Sequence, residues 1–170
     1  SGADSNGDLT LDFGFISNVG NLSIGNLVWN DANGNGIKDA AETGINGVTV
    51  ELLRDLDKNG VLSSAEQTAT ATTTTSTVST VAGTYSFSNL PAGNYAVRIA
   101  GFNFALTGAL GTIRLSSTTT VTTDNGVDND DNGMQPHTSA ATTSPIITLA
   151  SGTETGSGNT DNTIDFGFTT

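Results

Sequence analysis

Apolar and polar residues alternate along several short stretches of the chain, the pattern of strands with one buried face. The alternation is clearest at Tyr85 and Phe87, and again at Tyr95, Val97 and Ile99. Residues 89–93 between them read as a turn, which predicts a hairpin. Apolar or alternating stretches predict strands at residues 22–29, 47–53, 84–88, 94–100, 145–149 and 163–168. No ten-residue segment has a convincing helical period, so we expect an all-β sandwich.

A short motif occurs twice. Residues 12–15 and residues 165–168 both read Asp-Phe-Gly-Phe, and the two copies are 153 residues apart. Because this spacing is that of a whole domain, residues 21–170 are predicted to form one module, and residues 1–20 to carry a copy of its last strand. That copy is either the tail of a preceding module or a donor strand that completes the sheet of a neighbouring subunit.

The composition fits a β protein with many turns. The chain has 170 residues, 21 of them glycine, and only 6% are aromatic. A single domain with a thin core of aliphatic residues and a few aromatic rings is therefore expected. The Thr/Ser tract at residues 68–80 is open to three interpretations: an exposed strand, a flexible loop or a glycosylated surface.

Charge and cysteine content narrow the choice of partners. The net charge is −12, which disfavours nucleic acids and anionic membranes as ligands. There are no cysteines, so disulfides cannot rigidify the fold. No apolar run approaches the ~20 residues of a membrane span, and we expect any export signal to lie outside these residues. Carboxylates grouped in loops indicate cations as partners.

The stretch from Asp31 to Glu42 matches a twelve-position calcium loop, in which oxygen ligands surround a sharp turn at a glycine. Gly36 takes the turn position, and Ile37 would offer its backbone carbonyl. The side-chain ligands at positions 1, 3, 5, 9 and 12 would be Asp31, Asn33, Asn35, Asp39 and Glu42.

The stretch from Asp55 to Glu66 repeats this pattern, with Gly60 at the turn and Val61 offering its carbonyl. Its side-chain ligands would be Asp55, Asp57, Asn59, Ser63 and Glu66. Ordinary Asp/Asn/Gly turns also produce single matches, but two complete matches in one acidic chain predict two Ca²⁺ sites.

A third acidic stretch, residues 124–134, matches the pattern less well. Position 12 would be Ser139, which cannot supply a bidentate carboxylate. The candidate ligands of a third Ca²⁺ site are Asp128, Asp130, Asn132 and the carbonyl of Met134, with Asp124 or Glu154 as an additional acid. A solvated acidic loop is the alternative.

Twelve-residue calcium loops usually join helices, as in EF-hand or dockerin-like pairs. Here residues 43–54, which join the first two loops, contain two glycines and several β-branched residues. That composition makes a poor helix and a good strand. The loops are therefore predicted to be EF-hand-like in ligation but mounted on strands.

Several stretches together resemble the SdrD B-like domain, the Cna-B-related repeat of bacterial surface proteins. They are IGNLVWND at residues 24–31 with the loop after it, GVTVEL at 47–52, YSFSNLPAGNY at 85–95 and DFGF at 165–168. The resemblance covers residues 22–168 and implies a Greek-key, prealbumin- or Ig-like sandwich. It also implies several bound calcium ions and service as a stiff spacer in a surface protein.

An enzyme is not expected. His137 is the single histidine, and no Ser-His-Asp order or nucleophile elbow is present. We expect an extracellular, calcium-stabilised structural module of a surface or filament protein, whose partners are neighbouring copies of the module. An adhesive or carbohydrate-binding module is the alternative, which would bind a host or matrix ligand.

Overall fold

A computed structural model of the chain describes residues 20–111, 115–117, 126–138, 140–154 and 158–169. Strands dominate these residues, with 3₁₀ turns at Ser64–Gln67 and Gly101–Phe104. The strands are β1 (Leu22–Asn30), β2 (Thr49–Asp55), β3 (Ala71–Thr74), β4 (Ser76–Val78), β5 (Val81–Leu90), β6 (Gly93–Ile99), β7 (Leu115–Ser116), β8 (Thr142–Thr143), β9 (Ile147–Leu149), β10 (Thr160–Asp161) and β11 (Phe166–Thr169). The copy of the last strand predicted within residues 1–20 lies outside the described residues, apart from Gly20.

The strands form two sheets. One has the order β4-β5-β1-β11-β7, with β10 also pairing with β1, and the other has the order β3-β2-β6-β8, with β9 also pairing with β6. β1 lies at the centre of the first sheet, antiparallel to β5 and parallel to β10 and β11. The prediction of an all-β sandwich is confirmed.

The core lies between the sheets and is built from the alternating residues that the sequence pattern singled out. Tyr85 and Phe87 on β5 are buried, as are Tyr95, Val97 and Ile99 on β6. The buried hydroxyl of Tyr85 donates to the carbonyl oxygen of Ile164 at 2.6 Å, so its polar end is satisfied inside the core. Further rings come from the last strand, where Phe168 stacks edge-on against Phe104 with centroids 5.5 Å apart.

The predicted hairpin between β5 and β6 is wrong. β5 pairs with β1 and β4, whereas β6 pairs with β2, β8 and β9. The turn at residues 89–93 therefore carries the chain from one sheet to the other. Alternation shows only that each strand has one buried face, and two strands that face each other across a core alternate just as two paired strands do.

The Thr/Ser tract forms two edge strands, one in each sheet. β3 pairs with β2, and β4 pairs with β5. Thr75 between them is buried. Its hydroxyl donates to the carbonyl of Ile45 at 2.7 Å and accepts the N–H of Val48 at 2.9 Å. At this threonine the chain passes from the edge of one sheet to the edge of the other.

The two predicted calcium loops lie at opposite ends of the sandwich. The first follows β1, at the end where β11 finishes, and the N–H of Asp31 donates to the carbonyl of Phe168 at 3.0 Å. The second follows β2, at the end where β6 begins, since Asp55 pairs with Asn94. β1 also begins at this second end, because Leu22 pairs with Leu90 at the close of β5.

Candidate metal centre

Strand ends position the first ligand of each loop. Asp31 directly follows β1, and Asp55 is the last residue of β2. Both side chains are buried, 0% and 1% exposed. The following chain must turn sharply around them, and Gly36 and Gly60 take up positive φ angles of 74° and 80°. Glycine adopts this conformation without the strain of a Cβ atom, as predicted for position 6.

Five backbone hydrogen bonds recur at the same positions in both loops. The N–H groups at positions 2 and 9 donate to the glutamate at position 12. The N–H at position 5 donates to the side chain at position 3, the N–H at position 6 to the side chain at position 1, and the N–H at position 7 to the side chain at position 5. In the first loop these donors are Ala32, Asp39, Asn35, Gly36 and Ile37, at 2.7, 3.1, 3.0, 2.7 and 2.8 Å. In the second they are Leu56, Ser63, Asn59, Gly60 and Val61, at 2.6, 2.9, 3.2, 2.9 and 2.8 Å.

The second loop brings three carboxylates together. One oxygen from each of Asp55, Asp57 and Glu66 lies within 4.8 Å of the other two. It is the one such group of acidic, His or Cys ligands in the part of the chain that the structure describes. A set of hard oxygen donors of this kind suits Ca²⁺, so the residues fit the predicted cation.

The first loop has the same backbone but fewer converging acids. Asp39 accepts hydrogen bonds from the side-chain amides of Asn33 at 2.7 Å and Asn35 at 3.1 Å. The Lys38 ammonium donates to the backbone carbonyls of Asp39 at 3.0 Å and Glu42 at 2.6 Å. Position 3 of this loop is the amide Asn33, whereas position 3 of the second loop is the carboxylate Asp57.

Backbone donors keep the key carboxylates ionised. Burial raises the pKa of Asp31 and of Asp55, but N–H groups of their own loops, from Gly36 and Gly60 first, outweigh it and leave both pKa values below their ordinary range. The hydroxyl and N–H of Ser63 likewise lower the pKa of Glu66. Ionised carboxylates are the form that binds a divalent cation.

The third acidic stretch packs against the first loop. Asp130 pairs with Ile37 as an isolated β-bridge, and the N–H of Lys38 donates to the carbonyl of Asn129 at 2.8 Å. Asp128 accepts the Asn26 amide at 2.6 Å. The side-chain oxygen of Asn132 accepts the N–H of Asp165 at 2.8 Å. This stretch therefore adds its acids to the first-loop end of the sandwich.

The other residues of the proposed third site are placed elsewhere. Glu154 lies in the turn between β9 and β10, where its carboxylate accepts the N–H of Ala150 at 2.6 Å. The carbonyl of Met134 accepts the N–H of Thr143 at 3.0 Å, and Asp124 lies outside the described residues. Asp128, Asp130 and Asn132 therefore lie in the stretch that packs against the first loop, whereas Glu154 lies in the β9–β10 turn.

The sequence reasoning missed Asp165, a buried carboxylate beside the third stretch. It accepts the N–H of Leu27 at 2.9 Å and of Asn129 at 2.8 Å. Burial, followed by the nearby charges of Asp128 and Asp130, raises its pKa well above the ordinary value despite these two donors. Its position in the repeated Asp-Phe-Gly-Phe motif marked it as part of the last strand but gave no sign of its acidic neighbours.

Comparison with known proteins identifies the family of this chain. A family model described as the SdrD B-like domain matches residues 22–168. The chain belongs to this family. The match ends at the last strand of the sandwich and begins with its first, so the SdrD B-like domain is the whole described module.

Relatives of this SdrD B-like domain are long staphylococcal proteins. A fibrinogen-binding protein of Staphylococcus epidermidis is 36% identical over 132 residues, which are 76% of this chain and 10% of that protein. Serine-aspartate repeat-containing protein D of Staphylococcus aureus strain Newman is 35% identical over 128 residues, 75% of this chain and 8% of that protein. The chain therefore spans about a tenth or less of the length of these relatives.

A solved structure is also similar in part. The major pilin SpaD of Corynebacterium diphtheriae aligns over 91% of this chain and 33% of its own, with 18% identity and a TM-score of 0.40.

In the described residues no helix is both long and apolar enough to cross a bilayer.

Proposed function

We propose that this SdrD B-like domain is a calcium-stabilised structural module of an extracellular bacterial surface or filament protein. Membership of a family found in staphylococcal serine-aspartate repeat proteins fits a structural module at the cell surface. The observation that carries the calcium proposal is the second loop, in which Asp55, Asp57 and Glu66 converge within 4.8 Å. The matching hydrogen bonds of the first loop extend the proposal to a second ion.

Electrostatics provides the mechanism. A net charge of −12 and acids gathered at both loops make the folded chain repel itself. Bound calcium would supply positive charge at these loops. The residues around it already hold the loop backbone in place: Glu66 ties the start of its loop to the end through the N–H groups of Leu56 and Ser63, at 2.6 and 2.9 Å. The module would then be stiff at both ends.

Adhesion is the second candidate function, and fewer observations favour it. One relative is named a fibrinogen-binding protein, but the shared region is a tenth of that protein. A carbohydrate site needs a platform of exposed aromatic rings. Among the described residues, Phe102 is the exposed large aromatic side chain, at 62%, and one ring makes no platform. We therefore favour the structural role.

Calcium removal should destabilise the module. Extracellular calcium modules bind with Kd values of ~10⁻⁴–10⁻³ M, and at a tenfold excess over Kd each site contributes about 1.4 kcal/mol. Two sites should raise the melting temperature by about 5–10 °C for a chain of this size. The measurement is thermal unfolding by circular dichroism in 10 mM Ca²⁺ and in chelator.

A pair of variants assigns the effect to the second loop. Glu66→Gln should lose about half of the calcium-dependent shift, because a neutral amide cannot act as a bidentate anionic ligand. Glu154→Gln removes the same charge from the β9–β10 turn and should keep the full shift. Identical melting curves of the unmodified chain with calcium and with chelator would refute the calcium role.

A further inference from the structure

Asparagine followed directly by glycine recurs in the turns of this module. Within the described residues such pairs lie at residues 33–34, 35–36, 46–47, 59–60 and 132–133. Three of these pairs belong to the two predicted calcium loops. Asparagine is a thermolabile residue, and a following glycine makes it more so, because no side chain shields the glycine nitrogen from the asparagine side chain.

The reaction to which such a pair is prone is deamidation by ring closure. The glycine nitrogen forms a bond to Cγ of the asparagine, and the bond from Cγ to Nδ2 breaks. Ammonia leaves with the proton that the glycine nitrogen gives up. Water then opens the ring, which leaves either aspartate or isoaspartate in place of asparagine. The glycine N–H must therefore be released from any acceptor before the ring can close.

In both loops the aspartate at position 1 holds the glycine N–H groups. Oδ1 of Asp31 accepts the N–H of Gly34 and its Oδ2 accepts the N–H of Gly36, each at 2.7 Å. In the second loop Oδ2 of Asp55 accepts the N–H of Gly60 at 2.9 Å. A hydrogen bond to an ionised acceptor is stronger than one between neutral groups, so the attacking nitrogens are firmly held.

The asparagine side chains of the loops are fixed as well. The side-chain oxygen of Asn35 accepts the N–H of Ile37 at 2.8 Å, and its amide donates to Asp39 at 3.1 Å. Asn33 donates to the same carboxylate oxygen at 2.7 Å. Asn59 of the second loop accepts the N–H two residues ahead at 2.8 Å and donates to a loop aspartate at 2.9 Å. Both reacting groups are thus bound to other atoms of their own loop.

The pair at residues 46–47 is held by groups outside the loops. The N–H of Gly47 donates to the carbonyl of Thr75 at 2.9 Å. The side-chain oxygen of Asn46 accepts the N–H of Gly83 on β5 at 2.7 Å. Deamidation at Asn46 therefore reports on the state of the sandwich rather than on the state of either loop.

We propose that Asn33, Asn35 and Asn59 are latent deamidation sites, which Asp31 and Asp55 keep closed in the folded module. The inference goes beyond the proposed structural role, and hydrogen bonds rather than a bound ion carry it. Position 1 of each loop then protects the turn that follows it from covalent change. An isoaspartate in either loop would add one atom to the backbone and break the twelve-position spacing.

The unmodified chain tests whether the sites are closed. It is incubated in mildly alkaline buffer with calcium, folded in one sample and unfolded by urea in the other, and each site is followed by peptide mapping with mass spectrometry. Because a hydrogen bond to a charged group must first be broken, Asn33, Asn35 and Asn59 should deamidate about tenfold or more slowly in the folded chain. Equal rates in the two samples would overturn the inference.

A reciprocal pair of variants tests the two aspartates. Asp31→Ala should raise the rates at both asparagines of the first loop by about tenfold or more and leave the rate at Asn59 unchanged. Asp55→Ala should do the reverse. No acceleration in the altered loop would refute the role of the aspartates. Acceleration in both loops and at Asn46 together would also refute it, because the protection would then belong to the fold as a whole.

Glu42→Gln is the matched control for the first loop. It removes the same charge, and with it a candidate calcium ligand, but leaves the bonds from Gly34 and Gly36 to Asp31 in place. The asparagines before these two glycines should keep their slow rates in this variant. Acceleration as large as that in Asp31→Ala would overturn the inference, since the protection would then come from a bound ion.

Discussion

Buried carboxylates in this module are held by backbone N–H groups rather than by basic side chains. In the described residues the ion pair is that of Arg98 with Glu51, at 2.7 Å. Asp31 and Asp55 each accept N–H groups from the turn that follows them. Asp165 differs, because two donors do not outweigh its burial and the charges of Asp128 and Asp130. A spacing rule finds the first two acids, but the neighbours of Asp165 come from distant parts of the chain.

The raised pKa of Asp165 predicts how its contribution depends on pH. A carboxyl group whose pKa is higher in the folded chain stabilises the fold most below its ordinary value, near 3.8, and loses that contribution as the pH rises. In chelator, Asp165→Asn should therefore cost most stability near pH 4 and progressively less towards pH 7. Urea unfolding across this range measures the difference.

A second variant checks the cause of this effect. Asp128→Asn removes one of the two nearby charges that raise the pKa of Asp165. In that background the pH dependence of the Asp165→Asn difference should keep its direction but become smaller. A difference that is constant from pH 4 to pH 7 would show that Asp165 is not perturbed.

Among the strands, one polar residue carries the chain from the edge of one sheet to the edge of the other. β3 and β4 belong to different sheets yet are separated by Thr75 alone. Composition left the Thr/Ser tract undecided because threonine suits both an exposed strand and a loop. Its two strands form because β2 and β5 offer unpaired edges, and this depends on strands that are far away in the sequence. The hairpin predicted for β5 and β6 was wrong for the same reason.

Thr75→Val should destabilise the module by about 2 kcal/mol or more. The shape is kept, but the N–H of Val48 loses its bond to the hydroxyl and the carbonyl of Ile45 loses a donor. A buried group left unsatisfied costs about 1–3 kcal/mol. Thr74→Val, on the exposed face of β3, is the control and should change stability by less than about 0.5 kcal/mol. Equal effects of the two substitutions in urea unfolding would contradict the role of the crossing.

At the scale of the whole module, the two predicted calcium loops lie at opposite ends of the sandwich. β2 joins the loops and has seven residues, Thr49–Asp55, or about 20 Å of strand at ~3.3 Å per residue. At that separation the two sites share no ligand, and charges at the surface are largely screened at physiological salt. We therefore expect the loops to act independently.

Independence can be measured with a double variant. At a tenfold excess of calcium over Kd, Glu42→Gln and Glu66→Gln should each remove about 1.4 kcal/mol of calcium-dependent stability. The double variant should lose the sum within ~0.5 kcal/mol. A clear departure from additivity in chemical unfolding would mean that the two ends are coupled through the sandwich.

The sequence by itself determined the features that depend on neighbours along the chain. Alternation identified the buried faces of β5 and β6, twelve-residue spacing identified both loops with Gly36 and Gly60 at their turns, and the motif repeat marked the last strand. Only the tertiary structure decided which sheet each strand joins, where the third acidic stretch packs, and that Asp165 lies near Asp128 and Asp130. Periodicity and spacing record local geometry, whereas pairing between distant strands is selected by the packing of the whole core.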